Sequence, residues 1–121
     1  MSEQNLKDGF FEFLDGGLDE EIKQRYKLAV TAYFKAITQI CDLIVLRKRG
    51  YCPSSHTDRF RILETHFPKI YLSVDSIFMT YQDTYSIPIS KGSCEIVKNE
   101  IKKIIRDGGL AEEFKESLSR L

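Results

Sequence analysis

The chain has 121 residues, 42% hydrophobic and 30% charged, with 18 Lys+Arg against 18 Asp+Glu. That composition excludes a disordered, collagen-like or disulfide-framework chain, and a chain of this length buries about two thirds of its unfolded surface without metals or cross-links. A formal net charge of zero lacks the basic excess of a dedicated DNA-binding module.

The segment Met1 to Asp8 carries acids and amides where a secretory leader has a basic start and an apolar run. No apolar run approaches the ~18 residues of a membrane span. The best, Ile40 to Leu46, contains Asp42 and ends in Arg47, Lys48 and Arg49. The three cysteines, Cys41, Cys52 and Cys94, form no Cys-x-x-Cys pair and suit a reduced compartment. The expectation is a soluble, cytoplasmic protein with no membrane association.

In chain order, Ser2 to Leu14 is expected as a short helix whose end carries Phe10, Phe11, Phe13 and Leu14, stopped by Asp15-Gly16-Gly17. Its phenylalanines pack either on the protein's own core or on another subunit. A long helix is expected next, with Asp19 as N-cap and Glu20 and Glu21 in its first turn. Its apolar residues Ile22, Tyr26, Ala29, Val30, Tyr33, Ile37, Ile40 and Ile44 recur at helical spacing. Leu28, Ala32, Ala36 and Leu43 add a second apolar face, which makes this a central helix. Arg47, Lys48 and Arg49 suit its negative end and Gly50 its terminus.

Ser55 and Asp58 form a capping box for a third helix with the stripe Phe60, Leu63 and Phe67. Pro68 permits a fresh helical start, followed by the stripe Ile70, Val74, Ile77, Phe78, Tyr81 and Tyr85. Ile87-Pro88-Ile89 is an extended link. Ser90 caps a fifth helix with the stripe Cys94, Val97, Ile101, Ile104 and Ile105, closed by Asp107-Gly108-Gly109. An amphipathic tail from Leu110 to Leu121 presents Phe114, Leu118 and Leu121. The fold class is therefore all-α, an antiparallel four- to five-helix up-down bundle. It forms one domain over 1–121, with its core at about 19–106, an N-terminal arm at 1–17 and a C-terminal helix at 110–121.

Few residues carry chemistry. There is no Gly-rich phosphate loop and no nucleophile elbow, and Gly16-Gly17 and Gly108-Gly109 read as helix stops. Glu20 and Glu21 diverge on a helix and no Glu-x-x-His occurs, so no metal and no cofactor are expected. His56 falls in the first turn of the third helix and His66 at its end. Arg59 lies seven residues before His66 and shares its face, whereas Arg61 lies five before and turns away. Arg47, Lys48, Arg49, Arg59 and Arg61 gather at one end of the bundle, as a solvated surface or as a local phosphate patch. Tyr26, Tyr33, Tyr81 and Tyr85 lie on core-facing stripes with their hydroxyls bonded at an edge.

Three segments occur in an order that resembles the HEPN superfamily of helical nucleotide-binding domains. Ala29-x-x-Ala32-Tyr33-Phe34-Lys35-Ala36 is similar to its helix of small residues and a lysine. Gly50 to His56 is similar to its glycine, proline and Ser/Thr-His lead into the next helix. Tyr81-Gln82-Asp83-Thr84-Tyr85-Ser86-Ile87-Pro88 is similar to the tyrosine-rich end of its fourth helix. The resemblance spans Asp19 to Arg106.

Many members cleave RNA with an Arg, a polar residue after it, and a His four to six positions on. Here Phe60 and Ile62 follow Arg59 and Arg61, and Thr84 stands where an arginine often precedes the last tyrosine. The resemblance therefore implies the non-catalytic branch: a homodimer that binds a nucleotide or RNA end through His56, Lys35, Tyr81 and Tyr85. Such a module works with a small nucleotidyltransferase, as an accessory or within a toxin–antitoxin pair. The alternative is a metal-independent endoribonuclease in which His66 is the general acid/base and Arg59 or Arg61 stabilises phosphate charge. A structural helical adaptor without a ligand is the third reading.

Overall fold

The computed structural model describes residues 2–121. It is all-α, with six helices and no strand among the described residues. They are α1 (Glu3–Ile22), α2 (Tyr26–Arg49), α3 (His56–His66), α4 (Pro68–Asp83), α5 (Lys91–Asp107) and α6 (Lys115–Arg120).

The central helix is α2. It buries residues on nearly every side, from Ala29 and Val30 through Tyr33, Phe34, Ala36 and Ile37 to Ile40, Cys41, Leu43, Ile44 and Val45. It packs on α1, α4 and α5, and α4 also packs on α3 and α5. Helices apolar all round are buried ones, and the two faces read from the sequence are the cause here. Gly50 ends the helix in the left-handed conformation (φ 84°), its N–H bonded to the Leu46 carbonyl.

Although Asp42 interrupts its longest apolar run, α2 contains an 18-residue window of mean hydropathy 1.5, long and apolar enough by composition to cross a membrane. This corrects the expectation that no stretch approaches that length. In the structure 72% of the window is buried within the molecule.

The N-terminal region departs most from expectation. α1 runs through Asp15-Gly16-Gly17 to Ile22, so these glycines are no stop and Asp19 is no N-cap. Gly17 is instead a point of close approach. A Cβ placed there would meet the ring of Tyr33, whereas one at Gly16 meets nothing within 4 Å. The turn lies later, at Lys23-Gln24-Arg25, with Gln24 at φ 62° and the N–H groups of Lys23, Gln24 and Arg25 bonded to carbonyls of Asp19, Glu21 and Glu20. Ile22 and Leu28, expected in the core, flank this turn and are exposed.

The arm is part of the core. Leu6, Phe10 and Leu14 are fully buried, and Phe10 meets Phe114 edge-on with ring centroids 5.4 Å apart. Of the tail expected as a helix over 110–121, only α6 is helical.

The other boundaries follow the sequence. The Ser55 hydroxyl accepts from the Asp58 N–H at 3.1 Å, and the Asp58 carboxylate accepts from the Ser54 N–H at 2.9 Å. Pro68 opens α4. The Ser90 hydroxyl accepts from the Ser93 N–H, and the whole predicted stripe of α5 is buried. Tyr85 lies beyond the end of α4 and is 77% exposed, so it leaves the core stripe expected for it.

Two polar sets tie α1 down. Glu21 is buried and accepts from the Tyr33 hydroxyl at 2.7 Å and from Lys98 Nζ at 3.1 Å. Burial first, and then this carboxylate, push the Tyr33 phenol well above its ordinary range. At the other end Arg47 donates to both oxygens of Glu113 at 2.6 and 2.9 Å and to Glu3 at 2.8 Å. The Arg47 guanidinium hydrogen bonds hold the Glu113 carboxyl down at about 2.

Gly17→Ala overpacks the α1–α2 crossing and costs about 1–3 kcal/mol, whereas Gly16→Ala, in open helix, stabilises by about 0.4–1 kcal/mol; urea denaturation of the two variants checks this. Because the folded-state Glu113 carboxyl sits at about 2 and an unfolded glutamate near ~4.3, its stabilisation is present above that range and lost as pH falls through it. Acid titration of stability should therefore be less steep in Glu113→Gln between those limits.

Candidate functional site

Asp42 is the one acid within the buried stretch of α2, and its side chain is only 10% exposed. A carboxylate so placed requires a partner, and α3 supplies it. Arg59 Nε and Nη2 donate to Asp42 Oδ1 and Oδ2 at 2.7 and 2.9 Å, a bidentate pair. The Arg59 side chain is itself only 11% exposed. Burial pulls its guanidinium down, but the hydrogen bonds and charge of Asp42 outweigh this and hold it above the ordinary arginine value.

The remaining arm of the guanidinium, Nη1, lies 2.9 Å from His56 Nδ1. Arginine has donors only, so Nδ1 is the acceptor and the proton of the neutral imidazole sits on Nε2. Asp42, Arg59 and His56 thus form a relay that fixes the tautomer of His56 and presents a single N–H donor.

Beside this relay stands an aromatic wall. The ring of Phe34, on α2, lies 6.4 Å from that of His56 and stacks on Tyr81 at 4.3 Å with the planes 12° apart. Phe78 packs against Phe34 at 5.7 Å. The Tyr81 and Tyr85 hydroxyls are 3.3 Å apart; that hydrogen bond first, and then burial, raise the Tyr81 phenol above its ordinary value. Tyr85 forms the exposed outer edge. Charge within the relay is compensated, so the face offers stacking surface and one hydrogen-bond donor rather than a strong field.

Of the residues expected to bind a ligand, His56 and Tyr81 therefore meet at Phe34, and Tyr85 reaches them through Tyr81. Lys35 does not join them. One position along α2 from Phe34, it points toward α1, with Nζ 5.8 Å from the Phe13 ring. There it lines a groove of about 350 Å³ with Gly16, Asp19, Glu20 and Leu28.

Arg59 and His66 were expected to share a face, yet the Arg59 side chain turns back to Asp42 and His56. Arg61 was expected to turn away from His66, yet the two line one shallow hollow of about 170 Å³ with Tyr51, Asp58 and Thr65. The long guanidinium arms, rather than the helical angle between Cα atoms, decide both outcomes. Arg61 also pairs with Asp58 there. Three of the five arginines and lysines expected as a basic patch thus carry intramolecular partners: Arg47, Arg59 and Arg61.

Tyr33 is buried with its hydroxyl bonded, as its stripe implied, but its partners Glu21 and Lys98, and the roles of Asp42 and Phe34, were not singled out from the sequence. Asp42 did carry a signal, since a lone acid in an apolar helical run must be paired or costly.

No family model, no curated protein and no solved structure matches this chain.

Removing one member of the relay and removing both have different expected costs. Arg59→Ala strands the Asp42 charge and should cost about 3–5 kcal/mol, whereas the double variant Asp42→Leu/Arg59→Met should cost far less. Chemical denaturation of both measures the difference.

Proposed function

We propose that the protein is a non-catalytic binding module of HEPN type, an up-down helical bundle that holds a nucleotide or an RNA end on the His56–Phe34–Tyr81–Tyr85 face. In this reading it is a cytoplasmic homodimer and serves a small nucleotidyltransferase as accessory or toxin–antitoxin partner. The observation that carries the reading is a meeting in space. The lead-in Gly50 to His56 and the tyrosine-rich segment after Tyr81 lie far apart in sequence, and their His56 and Tyr81 rings both pack against Phe34. A base can stack on the tyrosine edge while the fixed Nε2–H of His56 donates to a phosphate or carbonyl oxygen.

Thermal-shift titration with nucleoside mono-, di- and triphosphates and with short RNAs tests this. A ligand at ~100 times its Kd should stabilise by about 2.7 kcal/mol. His56→Ala and Tyr85→Ala should lose most of that shift, and Lys35→Ala, on the other side of α2, should keep it. No shift with any nucleotide or RNA would favour the ligand-free adaptor.

A second reading draws on the hollow that Arg61 and His66 share: a metal-independent endoribonuclease with His66 as acid/base and Arg61 on the phosphate. RNA cleavage that disappears in His66→Ala would select it. A positioned acid/base is worth ~10²–10⁴-fold in rate.

A further inference from the structure

α4 carries two stripes. The inner one, Ile70, Ser73, Val74 and Ile77, is buried. The outer one runs Lys69, Leu72, Ser76, Met79, Asp83 at intervals of three, four, three and four residues, which is the spacing of a helix-pairing seam. A surface helix usually turns polar residues outward, but Leu72 and Met79 are 65% and 64% exposed. Beside them on α5, Ile96 is 60% exposed. The Ser76 hydroxyl lies 3.4 Å from Glu100 Oε1. That contact sets the Glu100 face of α5 against the stripe, and Ile96, four residues before Glu100 on the same face of α5, extends the apolar surface.

The charges at the two ends of the stripe are unused. Neither the Lys69 nor the Asp83 side chain enters an ion pair or hydrogen bond among the described residues. Their order is a palindrome: a cation, an apolar residue, a small polar one, an apolar residue, an anion. Laid antiparallel on an identical stripe, each Lys69 meets an Asp83, each Leu72 meets a Met79, and the two Ser76 residues meet at the centre. Laid parallel, Lys69 would meet Lys69 and Asp83 would meet Asp83, so charge selects the antiparallel arrangement.

We propose that a second copy of this chain covers α4, through a two-fold antiparallel α4–α4 contact centred on Ser76. This names the surface of the homodimer in the reading above and rests on that part of it alone, since nucleotide binding at His56 can fail without affecting it. The seam extends roughly 21 Å at ~1.5 Å per residue. That places it among the smaller interfaces, so the dimer is reversible and concentration-dependent.

Sedimentation velocity of the full chain across the micromolar range tests the proposal. The expected result is a monomer–dimer equilibrium. Lys69→Asp and Asp83→Lys should each weaken it by roughly tenfold or more by setting like charges together, and Leu72→Arg should abolish it. The double reversal Lys69→Asp/Asp83→Lys should restore dimerisation, and so should mixing the two single variants. All these positions lie on the outer stripe, and circular dichroism verifies that the helices are unchanged. A monomer at every concentration would overturn the proposal, and so would a dimer unmoved by either reversal. Single variants that weaken association without rescue by the double variant would overturn the antiparallel geometry.

Discussion

The ion pair between Asp42 and Arg59 is the constraint on which the site depends. A carboxylate inside the central helix is expensive to desolvate, and the cost is met only when a partner of matching geometry is desolvated with it. Arg59 meets that condition with two parallel hydrogen bonds and, in doing so, links α3 to α2 through their side chains. The same guanidinium has one donor left, and that donor sets the tautomer of His56. A stability requirement of the core thereby becomes a chemical property at the surface: an imidazole whose donor side is fixed, next to a stacked aromatic wall.

A second polar inlay on α2 works on its other side. Tyr33 reaches Glu21 of α1, which also holds Lys98 of α5, so one buried carboxylate joins three helices. Gly17 is what lets α1 come close enough for the Tyr33 ring to pass beneath it. At the far end of α2, Arg47 gathers Glu3 and Glu113 and joins the N- and C-terminal segments. The apolar surface of α2 supplies most of the burial. These polar contacts, each of which has only one satisfactory geometry, define how the neighbouring helices sit on it.

Much of the fold was legible because it rests on local chemistry. Ser55 with Asp58, Pro68, Ser90, and Gly50 after three basic residues act through their own backbones and immediate neighbours, and each boundary falls where they put it. The stripe of α5 was equally plain, since Cys94, Val97, Ile101, Ile104 and Ile105 keep strict helical spacing. The α1–α2 boundary was not legible. Two adjacent glycines imitate a stop, but their role is set by Tyr33, sixteen residues on from Gly17. The true turn at Gln24 contains neither glycine nor proline.

The site was half legible. His56, Tyr81 and Tyr85 were named from resemblance, while Phe34 and Asp42, which connect them, stood in a helix dense with apolar residues. The pairing of Arg59 with His56 rather than His66 depends on where Asp42 sits across the helix interface, which no spacing within α3 encodes.

The side-chain ¹⁵N spectrum of His56 in the intact protein reads out the relay from Asp42 through Arg59 to His56. The expected spectrum is that of a neutral imidazole fixed as a single tautomer, with the proton on Nε2 and an unprotonated, hydrogen-bonded Nδ1. That signature should be lost in Asp42→Asn, where Arg59 is no longer held by a carboxylate. A wild-type spectrum showing free exchange between the two tautomers, or a proton fixed on Nδ1, would contradict it.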